Sequence, residues 1–169
     1  MKFLSRLLVF VAALTSVCFA QTGTVTFYSG NLPAKDALKT AIVPAGTEPF
    51  SGWLFDGDEK LARARIGRFM TFHITPGPHS FSATYRSDKP GTAIVHINVE
   101  ADHHYCVRLS AKYANYYVVP LSSVSGRIDE VPCQKAFQEA GTIRPLETKH
   151  VEPAARGELV VSTSFPKED

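Results

Sequence analysis

The residues of this chain with the most chemistry in them are its six histidines and three cysteines. His103 and His104 are adjacent, so on a strand their side chains leave from opposite faces and cannot share an ion. His96 and His104 would meet across a hairpin, with Asp102 or His79 as a third donor. Zinc wants three or four convergent ligands, and the spacing supplies no such set, so no metal is expected. Cys106 has His104 two residues away on the same strand face, the pairing from which a thiolate nucleophile is drawn. A disulfide would consume that sulfur. There is no Gly-x-Ser-x-Gly elbow, and Ser122, Ser123 and Ser125 cluster near a strand end, where serine serves turns. Asp56, Asp58 and Glu59 flank Gly57, but calcium takes six or more oxygens, and this spacing is that of a hairpin tip. No glycine loop suited to phosphate is present. No catalytic residue and no cofactor are therefore expected. Tyr113, Tyr116 and Tyr117 offer large rings with polar tips, suited to a protein partner or a glycan if exposed and to the core if not.

The first twenty residues set the compartment. Lys2 and Arg6 form a basic start, Leu7 to Leu14 is an apolar stretch too short to span a bilayer, and Cys18-Phe19-Ala20 places small residues before Gln21. This is the pattern of a secretory signal peptide cleaved after Ala20, giving a periplasmic or secreted protein. Around Cys18, Thr15 and Val17 stand where a lipobox wants Leu and a small residue, so a lipid anchor is not expected. Removing 20 of the 169 residues leaves 149, enough for one domain with a core. It also removes two of the 18 basic residues, leaving 16 against 16 acidic ones. A neutral chain lacks the basic face that nucleic-acid binding needs. Cys106 and Cys133 remain, and in an oxidising compartment an even pair reads as one disulfide, with two buried free thiols as the alternative.

Short alternating strands cut by Gly and Pro turns position these groups, the pattern of a mostly β, antiparallel sandwich. Strands are expected at Gly23 to Ser29, Leu38 to Val43, around Trp53-Leu54-Phe55, and over Glu59 to Ile66 as an edge with Arg63 and Arg65 facing water. Met70, Phe72 and Ile74 share one face and Phe69, Thr71 and His73 the other. Across Thr75-Pro76-Gly77-Pro78, a type II turn by its residues, Phe81, Ala83 and Tyr85 alternate with Ser80, Ser82 and Thr84, making a hairpin. A second hairpin pairs Val95, Ile97 and Val99 with Tyr105, Val107 and Leu109 across Asp102-His103. Cys106 then lies on its outer face with His104 and Arg108, so a disulfide there would tie something onto that face. The expected partner is one short helix, near 132–140, opened by Pro132, striped by Ala136, Phe137 and Ala140, and stopped by Gly141. Tyr116 to Pro120 and Gly126 to Val131 read as last strands. Residues 21–149 make the sandwich domain, and 150–169 reads as a flexible C-terminal tail with an edge strand possible over Leu159 to Ser164.

Phe55-Asp56-Gly57, Gly67-Arg68-Phe69, Pro76-Gly77-Pro78-His79 and Tyr105-Cys106-Val107-Arg108 together resemble one family. The pattern is a strand ending in Asp-Gly, a Pro-Gly turn followed by His, and a later Tyr-bearing strand. It is similar to a bacterial exported domain of unknown function with a prealbumin-like β-sandwich, related to the PEGA domains of envelope proteins. The likeness runs from Phe55 to Leu109, about a third of the chain, while the Cys106 and Cys133 pair and the late helix depart from the short PEGA form. It implies fold and compartment and carries no catalytic residue across.

These readings lead to an exported, non-catalytic binding or structural module of the bacterial envelope, its partner an unknown envelope protein or glycan. The alternative is an enzyme accessory domain or a hydrolase whose site is not visible in sequence.

Overall fold

The computed structural model describes residues 21–30, 49–114 and 123–166. The first twenty residues, the strand expected at Leu38 to Val43, and Tyr116 to Pro120 lie outside them. The strands are β1 (Gly23–Ser29), β2 (Gly52–Asp56), β3 (Glu59–Ala64), β4 (Arg68–Ile74), β5 (Gly77–Thr84), β6 (Ile94–Val99), β7 (His104–Ala114) and β8 (Ser123–Val131). After them come one helix, α1 (Cys133–Ala140), and two short strands, β9 (Arg144–Pro145) and β10 (Leu159–Val160). Two sheets result. One runs β10-β4-β1-β7-β8, with β9 also on β4, and the other runs β3-β2-β5-β6. Pairing is antiparallel except for β1 with β7 and β4 with β9, which are parallel.

Alternation dictates which residues face inward. Val25 and Phe27 from β1, Met70, Phe72 and Ile74 from β4, and Val107 and Leu109 from β7 meet Leu54, Phe81, Ala83, Ile97 and Val99 from the other sheet. Phe27 is the hub, with its ring edge-on to Phe81 at 5.0 Å and to Phe72 at 6.2 Å. A register shift between Leu54 and Phe55 pairs Leu54 with Ala62 and Phe55 with Lys60, so Leu61 is one residue too many on β3. Such a bulge lets two consecutive residues, Leu61 and Ala62, both be buried. Arg63 remains outside, over the Trp53 ring. Arg65 lies beyond the strand and is half-buried.

Both expected hairpins are corrected. β4 pairs with β1 while β5 pairs with β2 and β6, and β6 pairs with β5 while β7 pairs with β1 and β8. Thr75-Pro76 and Glu100 to His103 thus carry the chain from one sheet over the core to the other. Inward parity is the same whether a turn joins neighbours in one sheet or arches between two, so alternation reads faces and not partners. The type II turn goes with the hairpin: Gly77 has φ +136° and is the first residue of β5. The second arch turns at Asp102, which takes φ +60°, a region Asp enters more readily than most residues.

The outer face of the larger sheet is also covered. Tyr28, Phe69 and Cys106 point outward there and pack with Val131, Cys133, Ala136, Ala140, Ile143 and Phe165. The helix spans the residues expected, with Pro132 ahead of it and Gly141 at φ +54° after it. Its buried stripe is Cys133, Ala136 and Ala140. Phe137 is a correction, since it is 43% exposed; at one residue past Ala136 it falls on the flank of that stripe. Residues 150–166, within the segment read as a tail, turn through Ala154–Gly157 and lay β10 along β4. The Glu152 N–H donates to Leu61 O, which covers part of the open edge of β3. Phe165 ends this segment edge-on to Tyr28 and Phe69.

Candidate functional site

The outer face of the larger sheet concentrates the reactive side chains, because three parallel or antiparallel neighbours display theirs side by side. β1 offers Thr26 and Tyr28, β4 offers Thr71, and β7 offers His104, Cys106 and Arg108. A disulfide joins Cys106 to Cys133, their Cα atoms 5.1 Å apart. It fixes the first residue of α1 to the central part of the sheet.

Two polar chains flank that bond. On one side Thr71 Oγ1 lies 2.7 Å from Thr26 Oγ1, which lies 2.9 Å from His104 Nε2. The same Nε2 is 3.9 Å from Cys106 Sγ. On the other side Arg108 reaches Glu139 of α1 at 3.1 Å and Asp129 of β8 at 3.6 Å. Arg127 completes the Asp129 pairing at 2.8 Å, and Lys135 stands 3.8 Å from Glu139. Cations and carboxylates alternate through this network, so the charges hold α1 and β8 to β7.

The Tyr28 hydroxyl donates to Glu139 at 2.6 Å. Burial first, and then that carboxylate, hold the phenol above its ordinary value. An unfolded chain ionises this group at about pH 10 while the folded one keeps it protonated. The stabilisation is therefore present below about pH 10 and is lost as pH rises above it. Tyr28→Phe should cost about 1.5–3 kcal/mol at neutral pH, since the bond is to a charged acceptor. It should also flatten the alkaline loss. Urea midpoints at about pH 8 and about pH 11 check this; a variant that declines as steeply as wild type would assign the loss to other groups.

The expected histidine set is split between sheets. His96 lies on the outer face of the smaller sheet, its Nδ1 2.9 Å from Ser80 Oγ. His104 lies on the larger sheet, so the proposed His96–His104 pairing across a hairpin is corrected along with the hairpin. His79 instead meets Asp56, Nδ1 to Oδ2 at 2.6 Å, and its Nε2 lies 2.9 Å from Thr75 O. The Ser80 N–H donates to Asp56 Oδ1 and the Gly57 N–H to Ser80 O. The Asp-Gly and Pro-Gly-x-His segments that stood out in sequence are thus one structural unit, joining the end of β2 to the start of β5. His79 also stacks on Phe81 at 5.7 Å.

Tyr113 sits near the end of β7, paired in register with Val124, while Tyr116 and Tyr117 lie outside the described residues. No family model, curated protein or solved structure matches the chain.

Among the described residues, two clefts of about 400 Å³ open at the surface. One is lined by His104, Cys106, Glu130, Pro132 and Cys133, beside the disulfide. The other is lined by Ser51, Arg65, Arg68, Glu147 and His150. In the second, burial and then Arg65 and Lys149 push the His150 imidazole below its ordinary value. Glu147 is held below the usual carboxylate range by its hydrogen bond from Lys149. Sequence reading missed this groove because strand, loop and turn residues far apart in the chain build it. It also missed the Arg108–Glu139 contact, for which there was a signal. Arg108 shares the Cys106 face, and Glu139 flanks the stripe that begins at Cys133.

Proposed function

We propose that this chain is an exported, non-catalytic binding or structural module of a bacterial envelope, of the PEGA-related kind that its turn motifs resemble. The carrying observation is the Cys106–Cys133 disulfide, which pins α1 to the sheet. Such a bond suits an oxidising compartment, and it agrees with a leader that ends at Ala20. The groups best able to do chemistry support the reading by where they are spent. Cys106 is bonded, Asp56 holds His79, and Arg108 bridges Asp129 and Glu139. The partner surface we assign to the end of β7, at Tyr113 and the neighbouring Tyr116 and Tyr117, with an envelope protein or glycan as occupant.

Expression of the full chain in a bacterial host tests both halves. The protein should fractionate with the periplasm or medium, begin at Gln21 by mass, and show no free thiol when denatured without reductant. It should co-sediment with purified peptidoglycan or with isolated envelopes, and the triple Tyr→Ser variant should lose this while keeping its far-ultraviolet spectrum. A cytoplasmic chain with an intact leader and two free thiols would overturn export. A triple variant that unfolds would make the tyrosines core residues, and turnover of a substrate by purified protein would end the non-catalytic reading.

A further inference from the structure

The cleft beside the disulfide holds a donor set that the bonded sulfurs conceal. Cys106 Sγ, Cys133 Sγ and one ring nitrogen of His104 all lie within 4.8 Å of one another. Two thiolates and an imidazole are the ligands that zinc-type cations select, with Zn–S about 2.3 Å and Zn–N about 2.0 Å. Tetrahedral geometry at those bond lengths separates N from S by roughly 3.5 Å, and Nε2 already lies 3.9 Å from Cys106 Sγ. We propose that Cys106, Cys133 and His104 form a redox-gated site for a borderline-soft divalent cation: the oxidised chain crosslinks α1 to β7 through sulfur, and the reduced chain crosslinks them through a metal.

The strand framework favours the second state. His104 and Cys106 are two residues apart on one face of β7, where both pair with β1 and Cys106 also pairs with β8, so their separation is fixed by the strand. Metal binding breaks the Thr26 Oγ1–His104 Nε2 hydrogen bond, and the Thr26 hydroxyl then keeps Thr71 as its partner. Cys133 is the first residue of α1, and the disulfide already places its sulfur beside that of Cys106. The cleft leaves the fourth position open to water, with Glu130 among its lining residues.

The step balances as thiol chemistry. An external dithiol donates two electrons and two protons to the Cys106–Cys133 bond and becomes a disulfide itself, leaving two thiols. The divalent cation then displaces both protons and takes the neutral imidazole. Every chain passes through the dithiol state before its disulfide first forms, so the metal-ready form is a normal stage of this protein and not only a product of reduction.

Cobalt(II) is the probe. The full mature chain is reduced with a phosphine, desalted without oxygen, and titrated with Co²⁺ while the thiolate-to-cobalt absorption and the far-ultraviolet spectrum are followed. The expected result is one Co²⁺ per chain with tetrahedral thiolate bands, displaced by Zn²⁺, and no such bands for the oxidised chain. His104→Gln should weaken binding at least about tenfold, the least that loss of a direct ligand costs when even supporting residues cost that much. If the reduced chain loses β structure, Co²⁺ should restore it in wild type and not in His104→Gln. Absence of thiolate bands, equal affinity in His104→Gln, or binding by a chain that stays unfolded would each overturn the proposal.

Discussion

Replacing Cys106 and Cys133 together by alanine is expected to lower stability by about 3.5 kcal/mol, the chain-entropy value for a bond closing a loop of this size. The separation is 27 residues, and it contains all of β8 and the turn into α1. Without the bond the unfolded ensemble regains that loop entropy, while the folded state keeps the Arg108–Glu139 pair and the Tyr28 hydrogen bond. The helix is only eight residues long, below the length at which an isolated helix holds in water. Its order therefore depends on docking, and the disulfide supplies the docking at its first residue. Urea denaturation of the double variant beside the oxidised wild type measures the loss. Hydrogen exchange should locate the largest change in 134–140 and leave β1 and β4 protected. A difference below about 1 kcal/mol would mean that packing and ion pairs alone set the position of α1.

The faces of the strands were legible because burial follows alternation. Period two alone put Met70, Phe72 and Ile74 on one common face and Val107 and Leu109 on the side opposite Cys106, and all five are core residues. Partners were not legible, because a Pro-Gly or Asp-containing turn serves an arch between sheets as well as it serves a hairpin. The parallel contact of β1 with β7 also lies beyond a local reading, since the two strands are joined only after the chain has built the whole smaller sheet. The helix was legible because Pro132, Gly141 and the small residues between them are local signals. Phe137 was misplaced because a stripe of three was drawn through a helix whose buried residues are Cys133, Ala136 and Ala140.

The site followed the same division. The disulfide was legible from a count of cysteines and a guess at compartment. The convergence of His104 on those sulfurs was half legible, since His104 and Cys106 share a face by parity, but the position of Cys133 depends on how α1 folds back. The Asp56–His79 contact explains why two turn motifs drew attention together, although each looked like independent turn chemistry. They form one hydrogen-bonded unit across the β2–β5 pairing, in which Asp56 is in register with Phe81.

Gly126→Ala should cost about 3 kcal/mol, at the upper end of overpacking penalties, although the position is an ordinary strand residue by backbone angle. Gly126 is on β8 of the larger sheet, and Ala83 is on β5 of the smaller one. A Cβ at 126 would stand 2.3 Å from Ala83 O, 2.8 Å from Ala83 C and 3.1 Å from Phe50 Cε2. The first two atoms are backbone and Phe50 is fully buried, so relief requires one sheet to move from the other. Gly91 approaches the same carbonyl from the loop side, its Cβ falling 2.4 Å from Ala83 O. The two glycines thus close one corner of the sandwich around a single carbonyl. Gly77 separates steric crowding from backbone conformation, because it has φ +136° and nothing within 4 Å of its Cβ position. Gly77→Ala should cost about 1–2 kcal/mol of backbone strain and leave the sheet separation unchanged. The double variant Gly91→Ala/Gly126→Ala should cost less than its parts combined, because one displacement of Ala83 relieves both clashes. Urea midpoints of the four variants measure these costs. A Gly126→Ala variant more stable than Gly77→Ala would show that the corner yields freely, and that the two sheets are not held in register at Ala83.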